Sequence, residues 1–188
     1  IEAGHLVSGK TPVDIIVTPI VSIAAGAVVA YVVGPYIAIF TEWLGNLINI
    51  NVDKHPFIGG IVISVSMGMF LTLPISSAAI GIMLGLSGLA SGAATIGCCC
   101  QMVGFAVMSF KENKVGGLIS QGIGTSMLQM PNIIRHPQIW IPPILSSAIL
   151  APVSTMVFKM VSNPVGSGMG TSGLVGQFSA YAVMVGAG

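Results

Sequence analysis

The sequence predicts an all-α, polytopic transmembrane protein whose helices are interrupted by broken or re-entrant segments. Three observations lead there. Only 6% of the 188 residues are Asp, Glu, Lys or Arg while 54% are hydrophobic, and mean hydropathy is +0.96. A soluble surface needs roughly 25–35% charged residues, so a soluble monomer is excluded. The few charges are bunched, which leaves uncharged stretches as long as a bilayer crossing. Finally, 25 Gly and 11 Pro exceed what straight lipid-facing helices require, and they mark broken or tightly packed segments. Six basic residues against five acidic ones give a net charge of +1, which leaves no basic patch for a nucleic acid. High hydrophobicity at negligible net charge also excludes disorder.

The charges measure the elements. They fall at Glu2, Lys10 and Asp14; at Glu42, Asp53 and Lys54; at Lys111, Glu112 and Lys114; and singly at Arg135 and Lys159. A spanning helix takes about 20 apolar residues, so the uncharged runs 15–41, 56–110, 115–134, 136–158 and 160–188 predict five to seven membrane segments. Lys10 and Asp14 mark the membrane boundary before the first of them. Run 15–41 reads as one span, bent at Pro19 and Pro35. Stretch 42–53 is too short and polar to cross, and predicts an interfacial element with Trp43, Leu44, Leu47 and Ile48 on one face.

Within 56–110, a helix over 58–73 ends at Pro74, and another over 90–110 ends at a Lys-Glu-Asn-Lys turn at 111–114. Lys111 and Lys114 favour the cytoplasm for that turn. Residues 75–89 predict a half-helix or re-entrant element, with Gly81, Gly85, Gly88 and Gly92 at small-residue spacing for close helix contact. Run 115–134 (VGGLISQGIGTSMLQMPNII) is long enough to span but too rich in Gly and polar side chains to face lipid. An irregular backbone survives at membrane depth only when enclosed by protein or lining a wet cavity. The same reasoning covers 163–176 (NPVGSGMGTSGLVG), and a Pro-containing helix over 140–158 lies between the two. Paired discontinuous segments point to a transporter's binding site.

Little else in the chain carries chemistry. Cys98, Cys99 and Cys100 point about 100° apart on a helix and cannot close round one metal ion; they read as small buried thiols. His5, His55 and His136 are scattered. Only His136 is weighed as a catalytic or phosphorylated residue, and the interfacial reading prevails for it too. No G-x-S-x-G, Walker loop or H-E-x-x-H occurs, so no catalytic site, metal or cofactor is expected. The candidate binding groups are neutral: Ser120, Gln121, Gly122, Thr125, Ser126, Gln129 and Asn132 in the first broken segment, with Asn163 and Ser167 in the second. Neutral donors and acceptors beside glycine backbone suit a polyhydroxylated solute such as a sugar better than an ion. The competing reading is helix–helix polar bonding, worth about 0.6–2 kcal/mol per bond.

Stretches 1–19 (IEAGHLVSGKTPVDIIVTP), 114–125 (KVGGLISQGIGT), 131–143 (PNIIRHPQIWIPP) and 163–176 resemble the membrane EIIC component of the phosphoenolpyruvate-dependent sugar phosphotransferase system. Within that group they are most similar to the perfringolysin regulator-like branch. The resemblance implies a multi-pass protein of a bacterial cell membrane that binds and translocates a sugar, forms a homodimer and receives a phosphorylated EIIB partner from the cytoplasm. Family members are longer, which, with Ile1 in place of Met, makes residues 1–188 an expected partial EIIC-like domain lacking its N-terminal part. Fructose-type relatives line the sugar site with I-T-E-G-A-I-P-F, which resembles 119–126 here, with Gln121 at the Glu position. Their later P-H-G-G turn corresponds to 163–166, where no His stands. Glutamine hydrogen-bonds a hydroxyl but is no general base. The resemblance therefore implies either a sugar permease or an EIIC-derived sensor with weak phosphotransfer coupling.

Overall fold

The computed structural model describes residues 14–186, which are helical with no named strand among them; an isolated antiparallel bridge joins Gly88 and Ser162. The chain divides into two units, Ile1–Thr41 and Glu42–Gly188. Helix α1 (Asp14–Lys54) starts in the first and ends in the second. In the first unit Ile23, Val28, Tyr31, Tyr36 and Phe40 are exposed, the mark of a helix that is apolar all round. Pro19 and Pro35 lie inside α1, and the helix is not interrupted at either. Lys10 and His5 lie outside the described residues.

The expected separate element at 42–53 is instead the end of α1. Nothing in 42–53 breaks a helix: it holds no proline, and Asn51 Nδ2 donates back to Leu47 O at 2.7 Å. Its single glycine, Gly45, sits against the Leu84 carbonyl, where no side chain fits. Trp43, Leu44, Leu47 and Ile48 fall on one side of that helix, as their spacing requires. Leu44 and Ile48 border a cavity with Val52, while Trp43 and Leu47 are exposed.

In the second unit α2 (Pro56–Thr72) opens on a proline, whose missing N–H belongs to no helical bond at that position, and closes at Leu73, extended before Pro74. Helix α3 (Ser77–Met83) is the expected half-helix, capped by Ser76, which accepts from Ala79 N at 3.3 Å. Two of the four spaced glycines behave otherwise than expected. Gly85 and Gly88 take left-handed φ of 56° and 55° to turn the chain. Only Gly81 and Gly92 make close contacts, against Pro164–Ser167 and the Met160 carbonyl respectively.

Helix α4 (Gly88–Met108) and helix α7 (Ile141–Pro152) complete the core with α2. A turn at Pro137–Trp140 precedes α7 and a wide turn at Val153–Val157 follows it. Two 21-residue runs, Gly88–Met108 and Pro137–Val157, are long and apolar enough to cross a membrane. At 17 residues, α2 spans about 25 Å, near the lower limit for a crossing.

The three helices meet at Gly97. A Cβ there would strike the Ser64 carbonyl of α2, and a Cβ on Gly68 would come within 2.7 Å of Gly97 O. The approach lets Ser64 Oγ donate to Ser147 O at 3.2 Å, while Ser147 Oγ lies 2.8 Å from Pro143 O and 3.4 Å from Gly97 O. Ile63, Met67, Ala93, Ala94, Cys98 and Met102 fill the apolar centre around this point.

The charged stretch at 111–114 is helical rather than an open turn. It lies in α5 (Phe110–Ile119), broken at Lys114, whose φ of 51° and ψ of −146° are non-helical. The first broken segment follows as a wide turn at Ser120–Gly124, a tight turn at Ser126–Gln129 and α6 (Met130–Arg135). The second comprises the single turn α8 (Pro164–Ser167) and a turn at Ser172–Leu174, after which α9 (Val175–Gly186) closes the described chain.

Replacing Gly97 by Ala forces α2 and α4 apart and is expected to cost about 1–3 kcal/mol. Gly116→Ala, with nothing within 4 Å of the new Cβ, is expected to be neutral or slightly stabilising. Thermal unfolding in detergent compares the two.

Candidate solute-binding site

Where α4 hands over to α5, Phe105, Met108, Ser109, Glu112 and Asn113 recur at three- and four-residue spacing, so they form one stripe. The stripe survives the junction because Asn113 N donates to Ser109 O at 2.9 Å and Glu112 N at 3.2 Å. The chain turns off at Lys114. Gly117 then lies flat against Asn113 and Ser109, with no room for a side chain. To the same cavity α6 and the turn before it bring Gln129 and Asn132, again three residues apart. Together with Ile139 these residues line a polar cavity of about 260 Å³, just under the roughly 300 Å³ at which sites for drug-sized ligands begin.

Behind one wall runs a ladder of neutral hydrogen bonds. Gln121 Nε2 donates to Ser109 Oγ, Gln129 Nε2 to Gln121 Oε1 and Asn132 Nδ2 to Gln129 Oε1, each at 2.9 Å. Gln121 and Gln129 are buried. Each amide thus keeps one N–H beyond the ladder, and Asn132 keeps its carbonyl oxygen. That is hydroxyl-binding capacity without a formal charge.

The other candidates stand apart from the cavity. Ser126 is fully buried in a second polar cluster, its Oγ 3.1 Å from Thr72 Oγ1, which lies 3.5 Å from Gln101 Oε1. Trp140 Nε1 donates to the same Gln101 oxygen at 3.0 Å, leaving Gln101 Nε2 buried without a partner. Ser120 Oγ donates to Gly117 O at 3.3 Å, Thr125 Oγ1 accepts from Met127 N at 3.2 Å, and Gly122 rests on Ala106.

In the second segment Asn163 Oδ1 caps α8 by accepting from Gly166 N at 2.8 Å, and Ser167 Oγ donates to Pro164 O at 2.6 Å. The buried hydroxyls of Ser162 and Thr171 beside them have no partner. The two segments touch where Ser172 Oγ donates to Gly124 O at 2.9 Å.

The structure thus joins Gln121, Gln129 and Asn132 and holds Ser120, Thr125, Ser126, Asn163 and Ser167 in separate bonds. It adds residues that the sequence reading missed. Gln101 had a signal, as an amide inside a long uncharged run. Ser109, Glu112 and Asn113 also had one in their helical spacing, hidden by reading 111–114 as a loop. No group of metal-ligating side chains forms among the described residues.

The family model described as Phosphotransferase system, EIIC matches residues 1–187. The chain belongs to the EIIC family. That family is the integral membrane component of the phosphotransferase system, which handles sugars together with EIIB components. The two membrane-length runs accord with such a component. No curated relative and no solved structure matches the chain.

Breaking the ladder tests its geometry. Gln129→Ala strands Gln121 Oε1 and Asn132 Nδ2 and is expected to cost about 1–3 kcal/mol of stability. Gln121→Ala in the same background is expected to add little, because the pair act as one unit. A double-mutant cycle read by thermal unfolding measures the coupling; strict additivity would contradict the ladder.

Proposed function

We propose that this EIIC protein binds a sugar or similar polar solute at the first broken segment and carries it across the bacterial cell membrane. The observation that carries the reading is the polar cavity set against the Gln121–Gln129–Asn132 ladder in a chain so poor in charge. Gln121 and Asn132 present neutral hydrogen-bonding groups, and Gly122, Ser120, Thr125 and Ser126 shape the backbone around them. Asn163 and Ser167 hold the second segment, which meets the first at Ser172 and Gly124. Translocation then proceeds by movement of the binding unit between membrane faces, in a homodimer served by a phosphorylated EIIB protein.

A second reading, a sensor of the perfringolysin regulator-like branch, is favoured by a specific feature. Gln121, at the position where fructose-type relatives have Glu, is engaged by both Ser109 and Gln129, and the 163–166 turn has no His. Recognition survives this arrangement, while phosphoryl coupling loses its titratable group.

Thermal-shift and calorimetric screening of the detergent-solubilised protein against sugars and polyols is expected to identify a stabilising ligand. Asn132→Ala or Gln121→Ala is then expected to weaken it about tenfold, the worth of one hydrogen bond. Unchanged affinity in both would remove the site from the first segment, and Asn163→Ala reports on the second. In proteoliposomes with EIIB and a phosphoryl donor, accumulation of sugar phosphate marks the permease, whereas binding without accumulation marks the sensor.

A further inference from the structure

Glu112 is the only charged side chain lining the polar cavity. Lys111 and Lys114 flank it in sequence but form no part of the lining, and neither does Arg135 at the end of α6. Among the described residues the Glu112 carboxylate has neither an ion pair nor a hydrogen bond, although its backbone N–H is anchored to Ser109 O at 3.2 Å. An ionised carboxylate is an acceptor with about four lone-pair sites and no donor. It lines the same cavity as Gln129 and Asn132, whose amides each keep one N–H donor beyond the ladder. The lining therefore holds both amide donors and a strong, negatively charged acceptor. A neutral hydroxylated solute satisfies both kinds of group, since each hydroxyl donates and accepts. A phosphate monoester carries acceptors and negative charge towards the carboxylate, with no cation in the cavity wall to offset them.

Resting on the proposed solute site, we propose that Glu112 makes this cavity selective for the unphosphorylated, uncharged form of its hydroxylated solute and expels the phosphorylated form. The carboxylate receives hydroxyl hydrogens from the free solute and repels the phosphate dianion by Coulomb force. That force acts at a partly exposed site and is screened by salt. Glu112 is a specificity residue in this assignment, and no bond-making step is given to it.

The test measures affinities of the intact protein in detergent for a panel of free hexoses and hexitols and for the monophosphates of the same compounds, at low and high salt. The unaltered protein is expected to prefer the free compound, and its preference is expected to shrink as salt rises. Glu112→Gln is expected to reduce the preference on the order of tenfold and to abolish its salt dependence. Glu112→Asp, which keeps the charge, is expected to retain both. A preference unchanged in Glu112→Gln, or one insensitive to salt in the unaltered protein, overturns the inference while leaving the solute site standing. Absence of binding by every compound overturns the solute site and this inference together. Thermal unfolding of each variant is read beside the affinities. A Glu112→Gln protein that is unfolded rather than relaxed in selectivity would show Glu112 to be structural, and would also overturn the inference.

Discussion

In a chain with so little charge, polar groups at membrane depth must find partners within the protein, because lipid supplies none. The close approach of α2, α4 and α7 at Gly97 is what meets that demand. A glycine there exposes backbone carbonyls on both sides, and hydroxyls at Ser64 and Ser147 reach across to use them. The pattern repeats along α4. Gly92 admits the Met160 carbonyl, Ser91 Oγ donates to Asn163 O at 2.7 Å, and Cys98 Sγ reaches Met67 O at 3.5 Å and Ser167 O at 3.4 Å. Each such bond is worth only about 0.6 kcal/mol on average; their number along one helix makes α4 central. Its spanning window is 67% buried against 28% for Pro137–Val157, which makes α4 the internal post and leaves the latter run at the outside of the helix group.

The broken segments depend on that post. An irregular backbone costs several kcal/mol for each group left unpaired in hydrocarbon, so it persists only where α4 and its neighbours offer partners. Thr125 N closes the first wide turn on Ser120 O at 2.9 Å, and Gly176 N closes the second segment on Gly170 O at 2.9 Å. Satisfaction is incomplete in an instructive way. Among the described residues the buried side-chain groups without partners are Gln101 Nε2 and the hydroxyls of Ser154, Ser162 and Thr171. Ser154 lies in the wide turn after α7, Ser162 and Thr171 flank α8, and Gln101 belongs to the cluster that holds Ser126. Unmet hydrogen-bonding capacity therefore gathers where the helices break.

What was legible in the sequence follows from which signals are local. Proline before or at a helix boundary, as at Pro56 and Pro74, fixes the backbone within a residue or two, and α2 lies where the pattern places it. Glycine with hydroxyls in 115–134 and 163–176 announces a broken helix for the same local reason. The errors came where a local signal was outvoted. Charges at 111–114 suggest a solvated loop, yet the bonds that Ser109 O accepts from Glu112 N and Asn113 N continue the helix through Asn113, and a single residue of positive φ, Lys114, kinks it. Polar residues in 42–53 suggest an interfacial break, yet the stretch holds no proline and continues as helix because Val52 and Ile48 pack into the core and Gly45 seats against the Leu84 carbonyl. Which polar residues meet was not legible at all. Gln121 pairs with Gln129 eight residues on because a wide turn and a tight turn intervene, and no periodic pattern encodes that.

The chemistry of the ladder bears on release as much as on binding. A row of carboxylates would demand cations, and a row of hydroxyls would saturate on backbone carbonyls, as Ser147 and Thr155 do. Primary amides do neither. Gln121, Gln129 and Asn132 hold one another in place and still keep one N–H each beyond the ladder. Under the proposed function, a polyol exchanges partners with the amides of Gln129 and Asn132 that line the cavity. The net free energy of such an exchange is small compared with the gross strength of the bonds involved. A small net free energy is what the proposed transport role asks of such a site.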